Sequence, residues 1–265
     1  MTSRAVILAR GLGTRMRSDD PQASLTDAQQ RAAENGHKAL MPIRGRPFLD
    51  YVLGAAADAG IEHVALVVAP DHEALRRHYE ATSRPSRVHM SYVVQPDPRG
   101  TADAVLAAEA WTAGEPFLAM NADNLYPVEA MAELAALDAP GLAAFDADDL
   151  VRAGNIPAER IAAFAALEID GRGYLTSIVE KPAGIHEVRK ISMNLWRLDA
   201  RIFPACRDVP RSPRGEFELP EAVGLAIARG VAFRAVFARG PVLDLSRRAD
   251  ALDVERRLMG VEPRP

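Results

Sequence analysis

Nine consecutive residues near the N-terminus, Ala9-Arg10-Gly11-Leu12-Gly13-Thr14-Arg15-Met16-Arg17, combine two glycines with three arginines. Glycines let backbone N–H groups approach phosphate oxygens, and guanidinium groups add charge-assisted hydrogen bonds. The run lacks the third glycine of a dinucleotide fingerprint and the Gly-Lys-Ser/Thr ending of a P-loop. Read alone, it is either a phosphate-binding loop or a plain tight turn. A second apolar run, PFLAM, leads into Asn121-Ala122-Asp123-Asn124. A carboxylate at the carboxyl edge of a parallel strand sits where ligands of open α/β sheets bind. The alternative role of Asp123 is to cap the helix that follows Pro127. Asp244, after Val242-Leu243, has the same two readings.

The lysines are as informative as the arginines. There are only three, Lys38, Lys181 and Lys190. A compact ammonium differs from a planar guanidinium in hydration and geometry, so a retained lysine points to a chemical choice. Glu180-Lys181-Pro182 reads as a surface ion pair or as a positioned one. Gln95 ends an apolar run and is either a solvated strand end or a binding group. His72, His78 and His89 have no metal-ligand spacing and read as surface residues. Cys206 stands alone, which excludes an internal disulfide and any multi-cysteine metal site; no base partner is evident for it. Glu216 and Glu218 precede a helix whose dipole they would favour.

These residues need a scaffold, and the pattern predicts one. Ala5–Ala9, His63–Ala69, Val88–Gln95 and Pro116–Met120 are apolar runs separated by helical stretches at Phe48–Ala59, Asp71–Tyr79 and Thr101–Trp111. Asp71 and Thr101 are the expected caps. This order predicts an α/β, Rossmann-like, mostly parallel mixed sheet with helices on both faces. The second half adds strand candidates at Ile161–Ile169, Tyr174–Val179 and Ile191–Leu198, a smaller antiparallel extension. A helix at about Glu218–Arg229, strands at Val231–Ala238 and Val242–Asp244, and a closing helix at about Arg248–Leu258 complete the chain. The polar segment 18–37 carries a short helix, Thr26–Asn35, stopped by Gly36. It reads as an insertion, either a lid or an inert surface excursion.

The chain has 265 residues, 48% of them hydrophobic and 26% charged, with a net charge of −4. It can bury a sizeable core, and it carries no basic footprint for nucleic acid or an anionic membrane. No apolar run approaches the ~18 residues of a membrane span, and the N-terminus has no signal-type cleavage site. The expectation is a cytoplasmic protein with small-molecule partners; homo-oligomerisation is left open.

Taken in order, the motifs resemble those of the sugar-nucleotide pyrophosphorylases, the nucleotidyltransferases that join a sugar 1-phosphate to an NTP. The glycine–arginine run resembles the family's N-terminal signature. Lys-Ala-Leu-Met-Pro at Lys38 is similar to its Pro-Lys-x-Leu-x-Pro segment. Gln95 with Gly100-Thr101-Ala102 resembles its base-reading strand and loop, and Asp123 its metal-binding Gly-Asp-Asn. Glu180-Lys181-Pro182 matches Glu-Lys-Pro, and Val242-Leu243-Asp244 is similar to the second metal aspartate. The resemblance spans about residues 4–258.

It implies a Mg²⁺-dependent transfer in which UTP or dTTP and a sugar 1-phosphate give an NDP-sugar and pyrophosphate. Arg15, Lys38 and Lys181 would be catalytic. Ala9, Arg10, Gly11, Gly13, Thr14, Gln95, Gly100 and Thr101 would hold the nucleotide. Asn121, Glu180, Asn194 and Glu218 would face the sugar. Mg²⁺ would sit on Asp123 and Asp244, since this hard cation takes one or two carboxylates plus phosphate oxygens. The chain would form one domain over 1–265, with a nucleotide-binding lobe to about 125 and a sugar-binding lobe beyond. Three departures matter: Arg10 replaces a small residue, the insertion displaces Lys38, and Ser192-Met193-Asn194-Leu195-Trp196 replaces a glycine-containing sugar segment. Arg10 and the Ser-Met-Asn-Leu-Trp segment keep open a cytidylyl- or guanylyltransferase acting on a cyclitol or alcohol phosphate. A separate alternative is a non-catalytic nucleotide-sugar-binding regulator, against which Arg15, Lys38, Asp123, Lys181 and Asp244 together argue.

Overall fold

The computed structural model describes residues 1–18, 20, 23–179 and 189–265. Strands β1 (Arg4–Leu8), β2 (Pro42–Ile43), β3 (Arg46–Pro47), β4 (His63–Val68), β5 (His89–Val94), β6 (Phe117–Asn121) and β7 (Asn124–Leu125) occupy the first half. The second half adds β8 (Gly141–Asp146), β9 (Ala165–Ile169), β10 (Leu175–Val179), β11 (Lys190–Leu198), β12 (Arg234–Ala238) and β13 (Leu243–Asp244). Among the described residues, nine strands form one sheet whose main path is β10-β9-β11-β6-β1-β4-β5, with β8 beside β11 and β12 beside β8. The parallel half is β5-β4-β1-β6. Beyond it, β11 runs antiparallel to β6, β8 and β9.

Alternation along β1 explains why both faces are covered. Ala5 and Ile7 point into one core cluster with Phe48, Leu53 and Met131, and Val6 points into the other with Val105, Phe203 and Val223. Each face is therefore closed by helices: α3 (Phe48–Asp58) on the first and α5 (Thr101–Ala107) on the second; α1 (Thr14–Arg17) and α2 (Asp27–Glu34) precede α3 in sequence, and α4 (Glu73–Arg77) lies between α3 and α5. A strand buried on both faces reads as a continuous apolar run, as these do.

Strand β11 carries the irregularity that matters. Its residues Ile191 and Ser192 pair with β9, whereas Trp196 to Leu198 pair with β6. Both partners lie on the edge opposite β8, so that edge changes neighbours at Met193–Leu195. The register with β8 shifts over the same residues, and Asn194 adopts the left-handed region at φ +58°. Asparagine tolerates that region better than most residues.

Several expectations are corrected. Residues 161–163 belong to a 3₁₀ turn, Ala158–Ala163, and the strand begins only at Ala165; the ion pairs of Arg160 draw this turn toward Asp244 and Asp250. Strand β8 (GLAAFD) is absent from the sequence reading, because its alanines carry no β-branched signal. Thr101 does not cap α5: Gly100 holds the cap position, and the Thr101 hydroxyl accepts from Leu219 N at 2.8 Å. Asp71 does not cap α4, whose N-cap is His72 without a side-chain bond. The helix after Pro127 has no side-chain cap either, so Asp123 is free of that duty.

The insertion is built in. Thr26 and Gln29 form a capping box on α2, Ala33 is fully buried, and Gln29 donates to Pro42 O and Glu255. Arg248 binds Met16 O and Gln30. Gly13 and Gly36 pack so closely that a Cβ on Gly13 would lie 2.8 Å from Gly36 O.

Gly100 is the tightest point near the cleft. Its φ is +115°, and an added Cβ would lie 2.4 Å from Phe217 O, which itself accepts from Ala102 N. Gly100→Ala should therefore cost about 2–4 kcal/mol in denaturant unfolding. Gly114→Ala, at φ +83° with open space around it, should cost about 1 kcal/mol. Equal losses would contradict the packing argument.

Candidate active site

The parallel half brings three strand ends to one edge. Leu8 is in register with Val67 on one side and Asn121 on the other, and the ladder continues through Ala9 N→Val67 O and Ala122 N→Leu8 O. Gln95 N bonds Val68 O, which places the end of β5 beside them. The loops that follow enclose a cleft of about 330 Å³.

The glycine–arginine loop forms one wall, through Ala9, Arg10, Gly11, Thr14 and Arg15. Arg10 lays Nε on Gln95 O at 3.1 Å and Nη2 on Pro96 O at 3.3 Å. Its replacement of a small residue thus ties the loop to the end of β5. Gly13 is outside the lining and serves the contact with Gly36. Opposite ends of the lining are supplied by Gln95, Gly100 and Thr101, and by Asn121 and Asp123. Lys38 reaches the same cleft from the end of the insertion. Its Nζ lies 2.9 Å from Asp123 Oδ2, with both side chains about one-fifth exposed (19% and 24%).

The remaining candidates are placed elsewhere. Asp244 is buried outside the cleft lining, with Oδ1 2.7 Å from Arg160 Nη2. The other arm of that guanidinium holds Asp250 at 2.7 Å. The segment meets the strand end below the cleft through Leu245 N→Asp123 O, and Asp244 Oδ2 accepts from Asn124 Nδ2 at 3.4 Å. Glu218 is buried and paired with Arg214, whereas Glu216 lines the cleft. Asn194 lies outside the lining; its Oδ1 accepts the indole N–H of the fully buried Trp196 at 3.3 Å. Glu180 and Lys181 fall outside the described residues. Cys206 is buried, and burial pushes its thiol up to about 12.

Sequence reasoning missed two cleft residues, His37 and His72. Their rings stand 5.7 Å apart, and His72 is a wall residue, correcting its reading as surface. Burial, then the nearby Arg17, lowers His37; burial, then His37 itself, lowers His72. The proximity of residue 37 to Lys38 was the one available signal.

A cleft that gathers a glycine–arginine loop, a lysine and a carboxylate has the groups to hold a polyphosphate together with a divalent cation. Asp123 and Glu216 are the acidic candidates of the sequence reading that combine a place in the lining with partial exposure, and of the two Asp123 stands at the strand end beside Lys38. The described residues contain no group of three or more metal-ligating side chains. This donor set fits Mg²⁺, which takes one or two carboxylates and completes its shell with phosphate oxygens and water.

Residues 4–245 match the family model for nucleotidyl transferases, and the chain belongs to that family. It is 27% identical over 255 residues to the UTP–glucose-1-phosphate uridylyltransferase AglF of Haloferax volcanii, covering 96% of each chain. It is 28% identical over 274 residues to a glucose-1-phosphate thymidylyltransferase of Streptomyces antibioticus, covering 98% of this chain and 68% of the relative. The fold is similar to that of a UDP-glucose pyrophosphorylase solved with UDP-glucose, at a TM-score of 0.77 and 17% identity over 99% of this chain and 100% of the other. The family and the mixed α/β fold agree with the resemblance read from the motifs. Among the described residues no helix is long and apolar enough to cross a membrane.

Two stability tests follow from the geometry. Arg160→Met would leave Asp244 and Asp250 buried without their cation, at a cost of about 3–5 kcal/mol in denaturant unfolding; a change below about 1 kcal/mol would show that the pairs carry little. The lowered histidines act through pH. The unfolded chain takes up protons near the ordinary value of 6.5 and the folded chain only below it. Their contribution is complete above that value and is lost as pH falls through it toward the folded values. A His37→Gln/His72→Gln double variant should lose less stability than the parent between about pH 7.5 and 5.5; parallel curves would contradict this.

Proposed function

We propose that the chain is a sugar-1-phosphate nucleotidyltransferase that joins UTP or dTTP to a hexose 1-phosphate and releases pyrophosphate. The observation that carries this reading is the single cleft lined by Arg15, Lys38 and Asp123 together with Gln95 and Gly100. The names of the relatives supply the hexose and the two bases.

In this reading a phosphate oxygen of the sugar 1-phosphate attacks the α-phosphorus of the NTP. The bond from that phosphorus to the bridging oxygen breaks, and pyrophosphate leaves with the electron pair. The protein's part is positioning and charge stabilisation. Backbone N–H groups of the loop from Arg10 to Thr14 would hold the phosphates. Arg15 makes no ion pair among the described residues, and its guanidinium is available to the departing pyrophosphate. Lys38 would exchange its contact with Asp123 for a phosphate oxygen, which releases the carboxylate. Asp123 would hold Mg²⁺, which when bound offsets the charge that builds on the phosphates. Asp244 would join it through Oδ2, the oxygen that Arg160 leaves to Asn124 Nδ2. Lys181 would grip the sugar phosphate and Glu180 a sugar hydroxyl. Asn121 and, by its place in the cleft, Glu216 would face the sugar.

Pyrophosphate release from UTP or dTTP with glucose 1-phosphate should require Mg²⁺ and vanish with EDTA. Asp123→Ala should lower turnover at least about 1,000-fold while its far-UV spectrum stays that of the parent. Full activity of that variant would overturn the role of Asp123. Silence of the parent with every nucleotide and hexose 1-phosphate would overturn the reading.

A further inference from the structure

The amide of Gln95 is held on one side by acceptors alone. Its Nε2 donates to Asp103 Oδ2 at 2.6 Å and to Gly100 O at 3.2 Å. Both N–H bonds are thereby used, since a primary amide has only two. Turning the amide over would set its oxygen against a carboxylate and a carbonyl, neither of which has a hydrogen to give. The orientation is therefore dictated by chemistry and not by a choice between look-alike atoms. Asp103 is itself fixed: Arg99 Nη2 holds Oδ1 at 2.7 Å, and the carboxylate is nearly buried. Gln95 is 2% exposed yet lines the cleft, and no donor among the described residues bonds its Oε1. The oxygen is the part of the amide left for a ligand.

We propose that Asp103, which lies outside the cleft lining, selects the base by locking Gln95 with its oxygen toward the ligand. Such a site takes a pyrimidine whose ring N3 carries a hydrogen, uracil or thymine. Cytosine presents a lone pair at that atom, so two acceptors would meet. Asp103 is a positioning residue: it touches no substrate and acts through Gln95. The inference rests on the nucleotide-binding part of the reading above and needs neither the acceptor nor the transfer step.

The test is direct binding of UTP and CTP, by calorimetry, to the parent chain and to Asp103→Asn and Asp103→Ala. The parent should prefer UTP by about 100-fold or more, as sites built around one donor–acceptor match do. In Asp103→Asn the new amide can donate as well as accept, so Gln95 can turn over. The UTP-to-CTP ratio should then fall at least about tenfold, through weaker UTP and tighter CTP binding. Asp103→Ala, which removes the acceptor, should move the ratio in the same direction and serves if the first variant does not fold. A merely structural role would weaken both nucleotides alike, and an unchanged ratio in a folded variant overturns the proposal. So does a parent that binds the two nucleotides equally, even if it releases pyrophosphate. A parent that prefers UTP, loses that preference in the variants and yet transfers nothing supports Asp103 and overturns the transfer reading instead.

Discussion

Strand β1 has no free edge, and the site depends on that constraint. Parallel partners on both sides, β4 and β6, hold it in a register that ends with Leu8 between Val67 and Asn121. Parallel ladders send successive carboxyl ends to the same side of the sheet, so the loop after β1 must emerge beside the loop after β6. The glycine–arginine run and Asp123 are more than 100 residues apart in sequence and are neighbours because of this pairing alone. Burial of both sheet faces makes the register hard to slip: moving β1 by one residue would send Ala5 and Ile7 to the core that Val6 occupies.

Lys38 arrives by a different route. It is carried not by a strand of the main sheet but by the end of the insertion, whose position relative to β1 is set by a glycine-on-glycine contact, Gly13 against Gly36. Side chains at either position would push the two segments apart and draw Lys38 away from Asp123. Gln29 and Arg248 fasten the same segment to the closing helix and to α1. An insertion anchored at three points can place an ammonium within hydrogen-bond distance of a carboxylate 85 residues away. A floppy excursion would lose that placement to conformational entropy.

The sequence was legible where local chemistry and pattern coincide. Apolar runs marked β1, β4 and β6, because a strand buried on both faces has no polar alternation to hide it, and β5 was legible at the sheet edge though it is only partly buried. Gly36 marked the end of α2, and the glycine–arginine run and Asn-Ala-Asp-Asn pointed to the residues that now share a cleft. What stayed hidden depends on pairings distant in sequence. Nothing local shows that Arg160 bridges Asp244 and Asp250, or that Arg10 spends its guanidinium on the carbonyls of Gln95 and Pro96. The alanines of β8 form a strand only because β11 and β12 lie on either side of it. His72 reads as surface until His37, delivered by the insertion, is set against it. Glu216 and Glu218 differ by two residues, yet Glu216 lines the cleft while Glu218 is buried against Arg214.

Two aspartates of similar sequence context end in opposite electrostatic states, and burial accounts for the difference. Asp244 and Arg160 are both below one-tenth exposed; separating such a pair would strand an unpaired charge away from water, a cost of several kcal/mol. That pair is permanent and shapes the fold around the 3₁₀ turn. Asp123 and Lys38 meet at a partly solvated wall of the cleft. There an ion pair contributes on the order of 1 kcal/mol or less, and either member exchanges partners cheaply. A phosphate entering the cleft can take Lys38 because water and the phosphate compensate both charges at once. The resting pair keeps the lysine and the carboxylate apart from other partners until that happens. The same chain thus uses one carboxylate–cation contact as a rivet and another as a latch, and solvent access decides which is which.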